Sequence, residues 1–530
     1  MRVLIPLSGL IAAAPAAEPV LTHIYPAGVQ SGTEVDVKLI GKFDPWPCKV
    51  WADEPGIVFT SGKKAGEFHA AVAAGVRPGP HLIRAFNGEG ASAPISLTVS
   101  GRHETLETEP NDDFRKPQVL ADSTATCNGR LDKSDDVDSY AVTLKKGQVM
   151  VAWVEAYVLA AGFDAMLRVL DERGTTLAFN HDYTSTDPLI VFTAPQDGRY
   201  VVQTTGHNYP ASTDIRFASG DDCIYRLHVS TEPLVRNTWP LAVTRGKNSK
   251  VKLEGWNLTV KEVVIDDSVP HSFPVTFSAV PEVIEAAGPQ KLEIPCAISG
   301  RLGQTREEDR FTFAAAKGTP LELIAAGPAY GSLIDPWIKV LGSDGKMLEF
   351  NDDKGGTDES RINWTVPADG TYTAVVGDLC QRGGPDLYYR LLIQKPAAAA
   401  AGTIVAHAFK LAAGKTEDLK VSVSLMNGYN SKLKLAALNL PPGVSADEKE
   451  VPKDGGSVTL KLAASPAAAP ASLPFQLVLR EVEGGREVPV RYSIASTSED
   501  NGVPNGYRQL LINSTEQLWL TVTVPPAPAK

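Results

Sequence analysis

Short runs of alternating apolar and polar residues recur along this chain and predict β-strands. Residues 35–39 and 419–423 alternate one by one, whereas 166–170 and 338–341 cluster β-forming residues. Many of these runs are bounded by turns rich in Gly, Asp, Ser or Pro, and no amphipathic helix is evident between them. The pattern therefore predicts an all-β fold.

Two long stretches, 129–227 and 300–391, repeat the same landmarks. Most pairs lie 171 residues apart, and the offset becomes 172 where Tyr200 matches Tyr372. The order is preserved throughout, so a tandem duplication is predicted, with one residue inserted in a loop. The spacing of the short strands favours a β-sandwich or jelly roll in each copy. Other matched landmarks are Gly129 and Gly300, Asp138 and Asp309, and Asp164 and Asp335.

The first copy carries a further set of motifs in a fixed order. They are Glu107-x-Glu109-x-Asn111-Asp112, Gly129-x-Leu131, Asp136-x-Asp138-x-Tyr140, Lys146-Gly147, Asp197-Gly198-x-Tyr200 and Tyr225-Arg226-Leu227. With these motifs the chain resembles a known family, the bacterial pre-peptidase C-terminal domain, over roughly 105–230 well and 294–394 in part. The resemblance implies a compact jelly-roll sandwich of the kind found on secreted proteins, often beside proteases and including the collagen-binding domains of bacterial collagenases.

At 530 residues the chain is too long for one core. We expect a multidomain protein in which two jelly rolls are interleaved with Ig-like sandwiches. Residues 251–258 resemble 37–43, so the region between the jelly rolls is interpreted as a second, shorter Ig-like module. The predicted order is a signal peptide (1–17), an Ig-like sandwich (18–100), a jelly roll (103–232), a short Ig-like module (235–293), a second jelly roll (294–395), a linker (396–402) and a last Ig-like sandwich with a tail (403–530).

The N-terminal segment and the charge bear on location and partners. Residues 3–14 are mostly apolar and are followed by small residues, which predicts an export signal, although a buried first strand is the alternative. No later stretch approaches 18 uninterrupted apolar residues, so no membrane span is expected. A net charge of −11 gives no footprint for nucleic acid. We expect a secreted, periplasmic or cell-surface protein that engages an extracellular protein or polysaccharide.

Motifs for catalysis are missing from the sequence. There is no Gly-x-Ser-x-Gly elbow, His-Glu-x-x-His, Cys-x-x-Cys or complete phosphate loop. The expectation is a non-catalytic adhesion or ligand-binding protein. An accessory part of a secreted protease or glycoside hydrolase and a structural cell-envelope protein remain the alternatives, because a fold does not determine a function.

One acidic constellation has the composition of a calcium site. Calcium takes six to eight hard oxygen ligands, which alternating carboxylates on an extended arm and an Asp-rich turn supply. In calcium-binding members of the family, a matching Glu-x-Glu-x-Asn-Asp segment provides ligands. A solvated acidic linker is the alternative interpretation. The predicted ligands are Glu107, Glu109, Asn111, Asp112, Asp135 and Asp138, with Asp136 between the last two.

Calcium is expected in the first jelly roll only. At an offset of 171, the second copy has Ser278, Val280, Glu282 and Val283 in place of the arm and Arg306 in place of Asp135. That copy is therefore predicted to have lost the site.

Two further features were weighed. The segments 180–182 and 351–353 are interpreted as turns, because Asn and Asp hydrogen-bond their own backbone there, with a cation site as the alternative. A disulfide between Cys127 and Cys223 is an open possibility, with Cys296 and Cys380 in similar places and Cys48 left over.

Overall fold

The computed structural model describes residues 17–494 and 510–524, apart from 212, 214, 270 and 354–358. The predicted export signal and the last six residues fall outside this range, except for Ala17. Among the described residues, 44 β-strands and two single-turn 3-10 helices form five successive units. The protein is all-β and multidomain. No helix in the described part of the chain has the length and apolarity needed to cross a membrane.

The first unit is a sandwich of two four-stranded sheets. The sheet order is β1-β3-β6-β5 in one layer and β2-β8-β7-β4 in the other. Alternation along β3 buries Val37 and Leu39 in the core between the sheets. The strands are β1 (Val20–Tyr25), β2 (Gly28–Gln30), β3 (Glu34–Lys42), β4 (Lys49–Ala52), β5 (Ile57–Ser61), β6 (Glu67–Val72), β7 (Gly79–Phe86) and β8 (Ile95–Ser100).

The second unit is the first jelly roll, with two five-stranded sheets. Their orders are β10-β12-β17-β14-β15 and β16-β13-β18-β11-β9. A 3-10 turn at Tyr157–Leu159 follows β13. The strands are β9 (Glu104–Leu106), β10 (Gln118–Val119), β11 (Ala125–Arg130), β12 (Asp138–Leu144), β13 (Val149–Glu155), β14 (Phe163–Leu170), β15 (Thr176–Asn180), β16 (Leu189–Thr193), β17 (Gly198–Asn208) and β18 (Ile224–Ser230).

The third unit is small and repeats the opening of the first. Both begin with an antiparallel pair, β1 with β3 and β19 with β21, and both pairs carry a bulge two residues into the first strand. Gly41 and Gly255 lie opposite these bulges. The strands are β19 (Leu234–Trp239), β20 (Ala242–Thr244), β21 (Ser249–Trp256), β22 (Glu262–Ile265) and β23 (Thr276–Ser278).

The fourth unit is the second jelly roll, and it begins earlier than the sequence predicts. The sequence predicts that β24 and β25 belong to the short Ig-like module, but they pair with β26 and β27 of the jelly roll. Its 3-10 turn lies at Pro328–Tyr330. The strands are β24 (Glu282–Ile284), β25 (Gln290–Leu292), β26 (Cys296–Arg301), β27 (Asp309–Ala315), β28 (Pro320–Ala326), β29 (Pro336–Leu341), β30 (Met347–Asn351), β31 (Ser360–Thr365), β32 (Gly370–Asp378) and β33 (Tyr388–Gln394).

Strand order and register agree between the two jelly rolls. The sheets β25-β27-β32-β29-β30 and β24-β26-β33-β28-β31 follow the same paths as their counterparts in the first jelly roll. Gly129 pairs with Tyr225, and Gly300 pairs with Tyr389. The repeated landmarks therefore occupy equivalent strands.

The last unit differs from the prediction in two respects. The predicted linker is largely a strand, β34, which pairs with β36 and β42. The strands also form one continuous path instead of two separate sheets, because the long β41 pairs first with β44 and then with β37 and β42. The strands are β34 (Ala399–Ile404), β35 (Ala408–Ala412), β36 (Thr416–Met426), β37 (Leu433–Leu438), β38 (Val444–Ala446), β39 (Lys449–Glu450), β40 (Gly456–Ala464), β41 (Ala471–Glu481), β42 (Glu487–Ser493), β43 (Ser514–Thr515) and β44 (Leu518–Thr523).

The first and last units pack against each other. The indole of Trp519 is buried and lies 4.9 Å from the ring of Phe86 and 5.9 Å from that of Trp51. Arg84, also buried, donates to the carbonyl of Gln517 and lies within hydrogen-bond distance of His407 Nδ1. The first and last of the five described units therefore share an interface, although they are far apart in the sequence.

All five cysteines are free. Cys127 lies in β11 opposite Leu227, and Cys223 precedes β18. The possible disulfide between Cys127 and Cys223 is not formed in this structure.

Candidate functional site

The acidic constellation forms a pocket at one end of the first jelly roll. The arm that carries Glu107 to Asp112 runs between β9 and β10, and the Asp-rich turn directly precedes β12. Both β9 and β10 are short edge strands paired in parallel with the next strands of their sheets. These pairings fix the two ends of the arm and bring it against the turn.

Three carboxylates of this pocket converge. Glu109, Asp112 and Asp136 each place an oxygen within 4.8 Å of the others. Lys133 lies among them, with Nζ at 3.1 Å from Glu109 Oε2, 2.9 Å from Asp112 Oδ2 and 3.7 Å from Asp136 Oδ1. The arm, through Glu109 and Asp112, and the turn, through Asp136, thus meet around the ammonium group of Lys133.

Several buried polar atoms in the pocket have no hydrogen-bond partner within the protein. They are Oε1 of Glu109, both side-chain atoms of Asn111 and Oδ1 of Asp138. Asn111 is 1% exposed and Asp138 is fully buried. Buried polar groups without partners are costly, and in folded proteins they are explained by strain, by a functional role, or by a bound water or ion.

Behind these carboxylates lie two further carboxyl groups, Glu107 and Asp138, each of which accepts hydrogen bonds from neighbouring donors. Glu107 Oε2 accepts from the backbone N–H of Arg130 at 2.7 Å, and Tyr225 donates to Asp138 at 2.6 Å. Burial, with the nearby charges of Glu109 and Asp136, raises the pKa of Glu107 to about 8. Burial and the charge of Glu107 raise the pKa of Asp138 to about 9. Crowded carboxyls of this kind stay ionised together only when a cation offsets their charge.

Asp135 does not join the converging carboxylates, although the sequence suggested it as a ligand. Its backbone has φ of 62°, and its Oδ1 accepts from the N–H of Phe217 at 3.2 Å. Asp135 shapes the turn, and the carboxylate that enters the pocket is the neighbouring Asp136. Sequence spacing did not distinguish the two, because the left-handed turn sets which side chain points inward.

The second jelly roll retains the frame of this pocket and has a shorter arm. Glu285 accepts from the N–H of Arg301 at 2.8 Å, so it is the structural counterpart of Glu107. Gln118 and Gln290 close the two arms with the same pair of backbone hydrogen bonds. Residues 108–117 separate the two landmarks in the first copy, and only 286–289 separate them in the second.

The arm equivalences expected at an offset of 171 are therefore wrong. Glu282 corresponds to Glu104, because each pairs with an arginine of the last jelly-roll strand, Arg390 or Arg226. The counterparts of Glu109 and Asp112 were lost with the shortened arm. Arg306 does occupy the position of Asp135, since both adopt a positive φ in the equivalent turn.

The two Asn-containing segments are turns. Asn180 donates to the carbonyl of Asp182 at 2.9 Å, and Asn351 makes the same bond to Asp353. In the first copy, His181 additionally lies 3.1 Å from Asp164 and 3.3 Å from Asp182. Each Asn fixes its own turn, and the histidine is held as an ion pair between two carboxylates when it is protonated.

A groove of about 410 Å³ lies on the outer face of the second jelly roll. Trp337 and Phe350 contribute aromatic rings whose centroids are 6.2 Å apart. Lys339, cross-strand partner of Phe350, places Nζ 3.9 Å from the centre of the Trp337 ring. The sequence predicted a strand at 338–341 but not this groove, because the groove depends on neighbouring strands that are distant in the chain. The remaining lining residues are Arg306, Glu307, Glu308, Asp378, Leu379 and Gln381.

Comparisons with known proteins give partial likenesses. No protein-family model matches the chain. A probable subtilase-type serine protease of Deinococcus radiodurans is 35% identical over 88 residues, which are 16% of this chain and 12% of that protein. The chain therefore spans about an eighth of that relative's length.

Among solved structures, the pre-peptidase C-terminal domain of a Bacillus anthracis collagenase is 14% identical and covers 21% of this chain and 98% of its own, at a TM-score of 0.18. A Bacteroides ovatus mixed-linkage glucan utilisation protein, solved with a heptasaccharide, is 10% identical over 72% of this chain and 75% of its own, at 0.15. The ectodomain of mouse nectin-like molecule 4 is 11% identical over 73% and 98%, also at 0.15.

Proposed function

We propose that this protein is a non-catalytic binding protein that acts outside the cytoplasm and engages an extracellular protein or polysaccharide. The groove on the second jelly roll carries the proposal. It presents two aromatic rings on a sheet face, next to charged groups of both signs. Aromatic faces stack on the apolar atoms of a ligand, while a few placed polar groups fix its orientation.

The groove is built on rigid elements. Trp337 lies directly over Gly377 of the neighbouring strand, where a Cβ would come within 2.2 Å of the indole. Glu308 accepts from Arg310 at 2.7 Å and from Lys339 at 3.0 Å, so the charged rim is held in place by ion pairs. Phe350 is 45% exposed and has room to meet a ligand. A preformed surface of this type loses little conformational entropy on binding.

The groove is tested by Phe350→Ala, because truncating Trp337 would also uncover the strand at Gly377. The matched control is Phe179→Ala, which removes the equivalent ring, 59% exposed, from the first jelly roll. The purified full chain is applied to arrays of polysaccharides and extracellular-matrix proteins. We expect Phe350→Ala to weaken the captured interaction at least tenfold and Phe179→Ala to leave it unchanged. Equal binding by both variants, or no binding by the wild type, would contradict the proposal.

We further propose that the first jelly roll holds one calcium ion in its acidic pocket. The donor set supports this: carboxylates of Glu109, Asp112 and Asp136, with the buried amide of Asn111 beside them, supply the hard oxygens that calcium prefers. The unpartnered buried oxygens of Glu109 and Asp138 provide further capacity. A bound ion would offset the repulsion among these carboxylates and so stabilise the fold.

Calcium binding is tested by isothermal titration of the full chain, with thermal unfolding recorded in calcium and in chelator. A ligand at a hundredfold its dissociation constant adds about 2.7 kcal/mol to a unit that binds it only when folded. Replacing Glu109 by Gln and Asp112 by Asn should abolish both the heat of binding and the stabilisation. Glu285→Gln, in the shortened arm, is the matched control and should change neither. A wild type without a calcium response at millimolar concentration would exclude the site.

The second candidate function is an accessory part of a secreted protease. The identity to part of a probable subtilase-type serine protease favours it. In that case the groove would engage the protease or its substrate. Retention of a secreted protease on the immobilised chain, lost in Phe350→Ala, would support this candidate. Hydrolysis of casein or of model glycosides by the chain alone would refute a non-catalytic function in either form.

A further inference from the structure

The ammonium group of Lys133 contacts the same three carboxylates that converge in the acidic pocket. Its distances of 3.1, 2.9 and 3.7 Å to Glu109, Asp112 and Asp136 place it at their common centre. No other described lysine or arginine forms an ion pair with any of these three carboxylates. One ammonium group thus faces three carboxylates at the mouth of the pocket.

An ammonium group and a calcium ion cannot share this position. Calcium takes its oxygen ligands at 2.3–2.6 Å, so carboxylates that close around it leave no room for a nitrogen already within 3–4 Å of the same atoms. Two cations this close would also repel each other strongly in a partly buried site. Binding of the ion therefore requires Lys133 to move.

We propose that Lys133 is a built-in counter-ion that fills the cation site in the calcium-free protein and is expelled when calcium binds. The inference rests on the proposed calcium site and adds to it the competing group that sets its affinity. Calcium binding is then an exchange of one cation for another. Its observed affinity is the intrinsic affinity of the carboxylates reduced by the cost of displacing the lysine.

The geometry allows this exchange. The side chain of Lys133 is 46% exposed, so its charged end has solvent to move into. The backbone of Lys133 stays anchored, because its carbonyl accepts from the N–H of Asp136 at 3.2 Å. Burial alone would lower the pKa of Lys133, but the hydrogen bonds that its ammonium group donates to Asp112 and Glu109 raise it. Displacement, not deprotonation, has to empty the site.

The second jelly roll, which lacks the acidic part of the arm, also has no lysine at the position equivalent to Lys133. The equivalent position in the second jelly roll, 171 residues on, is the exposed Gln304. Its backbone N–H donates to Glu307 at 2.7 Å, as that of Lys133 donates to Asp136 at 3.4 Å, so the turn itself is preserved. The lysine is therefore not needed to build the turn. Of the two jelly rolls, the one with the acidic residues Glu109 and Asp112 is the one with the lysine.

The pocket holds more than a cluster of surface carboxylates. Asn111, 1% exposed, has neither side-chain atom hydrogen-bonded, and the fully buried Asp138 has one unpartnered oxygen. Lys133 satisfies the outer carboxylates and leaves these inner atoms without partners. Calcium, with its larger coordination number, is the cation that would use both sets.

The experiment compares calcium affinity in the full chain for the wild type, Lys133→Gln and Lys116→Gln. Lys116 lies in the same arm and is exposed, so its replacement removes the same charge at a short distance from the site. Isothermal titration with calcium chloride gives the dissociation constants. Thermal unfolding in chelator gives the stability of the calcium-free state. Lys133→Arg, which keeps the charge, serves as a rescue variant.

We expect Lys133→Gln to bind calcium at least tenfold more tightly than the wild type and to melt at a lower temperature in chelator. Lys116→Gln should stay within about threefold of the wild-type affinity, as expected for a screened charge at the surface. Equal affinities for the wild type and Lys133→Gln would overturn the exchange while leaving the calcium site intact. Binding by neither protein would refute the site and the exchange together. Binding by Lys133→Gln alone would support the exchange in its strongest form.

Discussion

The phenol of Tyr225 donates a hydrogen bond of 2.6 Å to Oδ2 of Asp138, deep in the first jelly roll. The same bond joins Tyr389 to Asp309 at 2.7 Å in the second. Each aspartate lies near a half-buried glutamate, Glu107 in one copy and Glu285 in the other. Both copies therefore have to accommodate two carboxyl groups in a partly buried space. Beside this pair, the first copy has the acidic arm around Lys133, whereas the shortened arm of the second has no residues in place of Glu109 and Asp112.

Asp309 should make the second jelly roll less stable as the pH rises. Burial, with the adjacent Glu285 carboxylate, raises the pKa of Asp309 to about 7. Because the folded pKa lies above the unfolded value, the stabilising contribution is complete at acid pH and is lost as the pH rises through about 7. In the wild type, the free energy of unfolding of the second jelly roll should fall by about 1–3 kcal/mol between pH 5 and 8, and Asp309→Asn should remove this fall. Hydrogen exchange in β27 of the full chain measures it.

The control for this measurement is Asp344→Asn. Asp344 is exposed in a turn, where a backbone hydrogen bond from Lys346 lowers its pKa. Its replacement should not alter the change of β27 protection over the same pH range. Calcium is kept saturating so that the first jelly roll does not contribute. If Asp309→Asn keeps the full pH dependence of the wild type, the buried carboxyl pair is not its source.

The stoichiometry of calcium is a separate prediction. The shortened arm of the second jelly roll has no residues in place of Glu109 and Asp112, and Arg306 stands in its turn. The full chain should therefore bind one calcium ion in the high-affinity range, not two, although it contains two jelly rolls. Isothermal titration gives this number directly. A stoichiometry of two, reduced to one by Glu285→Gln, would show that the second pocket binds as well.

The all-β class and the repeat were predictable because they depend on patterns that stay local. Turn residues and alternating strands fix the register, and so Gly129 and Gly300 occupy equivalent strands. The matching of arm residues between the two copies was harder to predict, because the arm of the second copy is six residues shorter between Glu285 and Gln290 and the constant offset is lost there. The shared hydrogen bond to the backbone of Arg130 or Arg301 shows that Glu107 and Glu285 correspond.

Features that depend on distant segments could not be predicted. Lys133 is an unremarkable lysine in the sequence, and its role follows from the fold of the arm over its turn. The groove likewise needs β29, β30 and the end of β32 to be neighbours. The prediction of a linker at 396–402 was wrong for a related reason. Its alanines are compatible with a loop, yet partners on both sides make 399–404 a strand.

Arg84 should be essential for the contact between the first and last units. The side chain is buried and donates to the carbonyls of Ser92 and Gln517, and Phe86 of the same strand packs against Trp519 across the interface. Arg84→Ala would leave these acceptors unpartnered next to a cavity, which typically costs about 2–4 kcal/mol. Denaturant unfolding followed by tryptophan fluorescence measures the loss.

The matched variant for Arg84 is Arg115→Ala, which shortens an arginine whose side chain is 71% exposed. It should change the unfolding free energy by less than about 0.5 kcal/mol. Small-angle scattering provides a second measurement, since the chain should become more extended in Arg84→Ala if the two ends separate. Unchanged dimensions together with unchanged stability would show that other contacts hold this interface.

Gly41 is the position in the first sandwich where a side chain should be least tolerated. Its φ is 153°, and an ideal Cβ would lie 1.9 Å from the carbonyl oxygen of Val20, across the bulge between β1 and β3. A backbone atom cannot move aside as a flexible side chain does, so Gly41→Ala has to separate the two strands. We expect a loss of at least about 2 kcal/mol. Gly255→Ala should act alike in the third unit, where the carbonyl of Leu234 is 2.1 Å away.

Gly75→Ala is the control for both glycine variants, because nothing lies within 4 Å of its ideal Cβ. Its effect on stability should be close to zero or slightly favourable, since alanine restricts the unfolded chain. Hydrogen exchange of β3 and β21 in the full chain assigns each loss to its own unit. If Gly41→Ala retains the protection of β3 seen in Gly75→Ala, the close approach at the bulge is relieved by a small backbone shift, and the glycine is not required there.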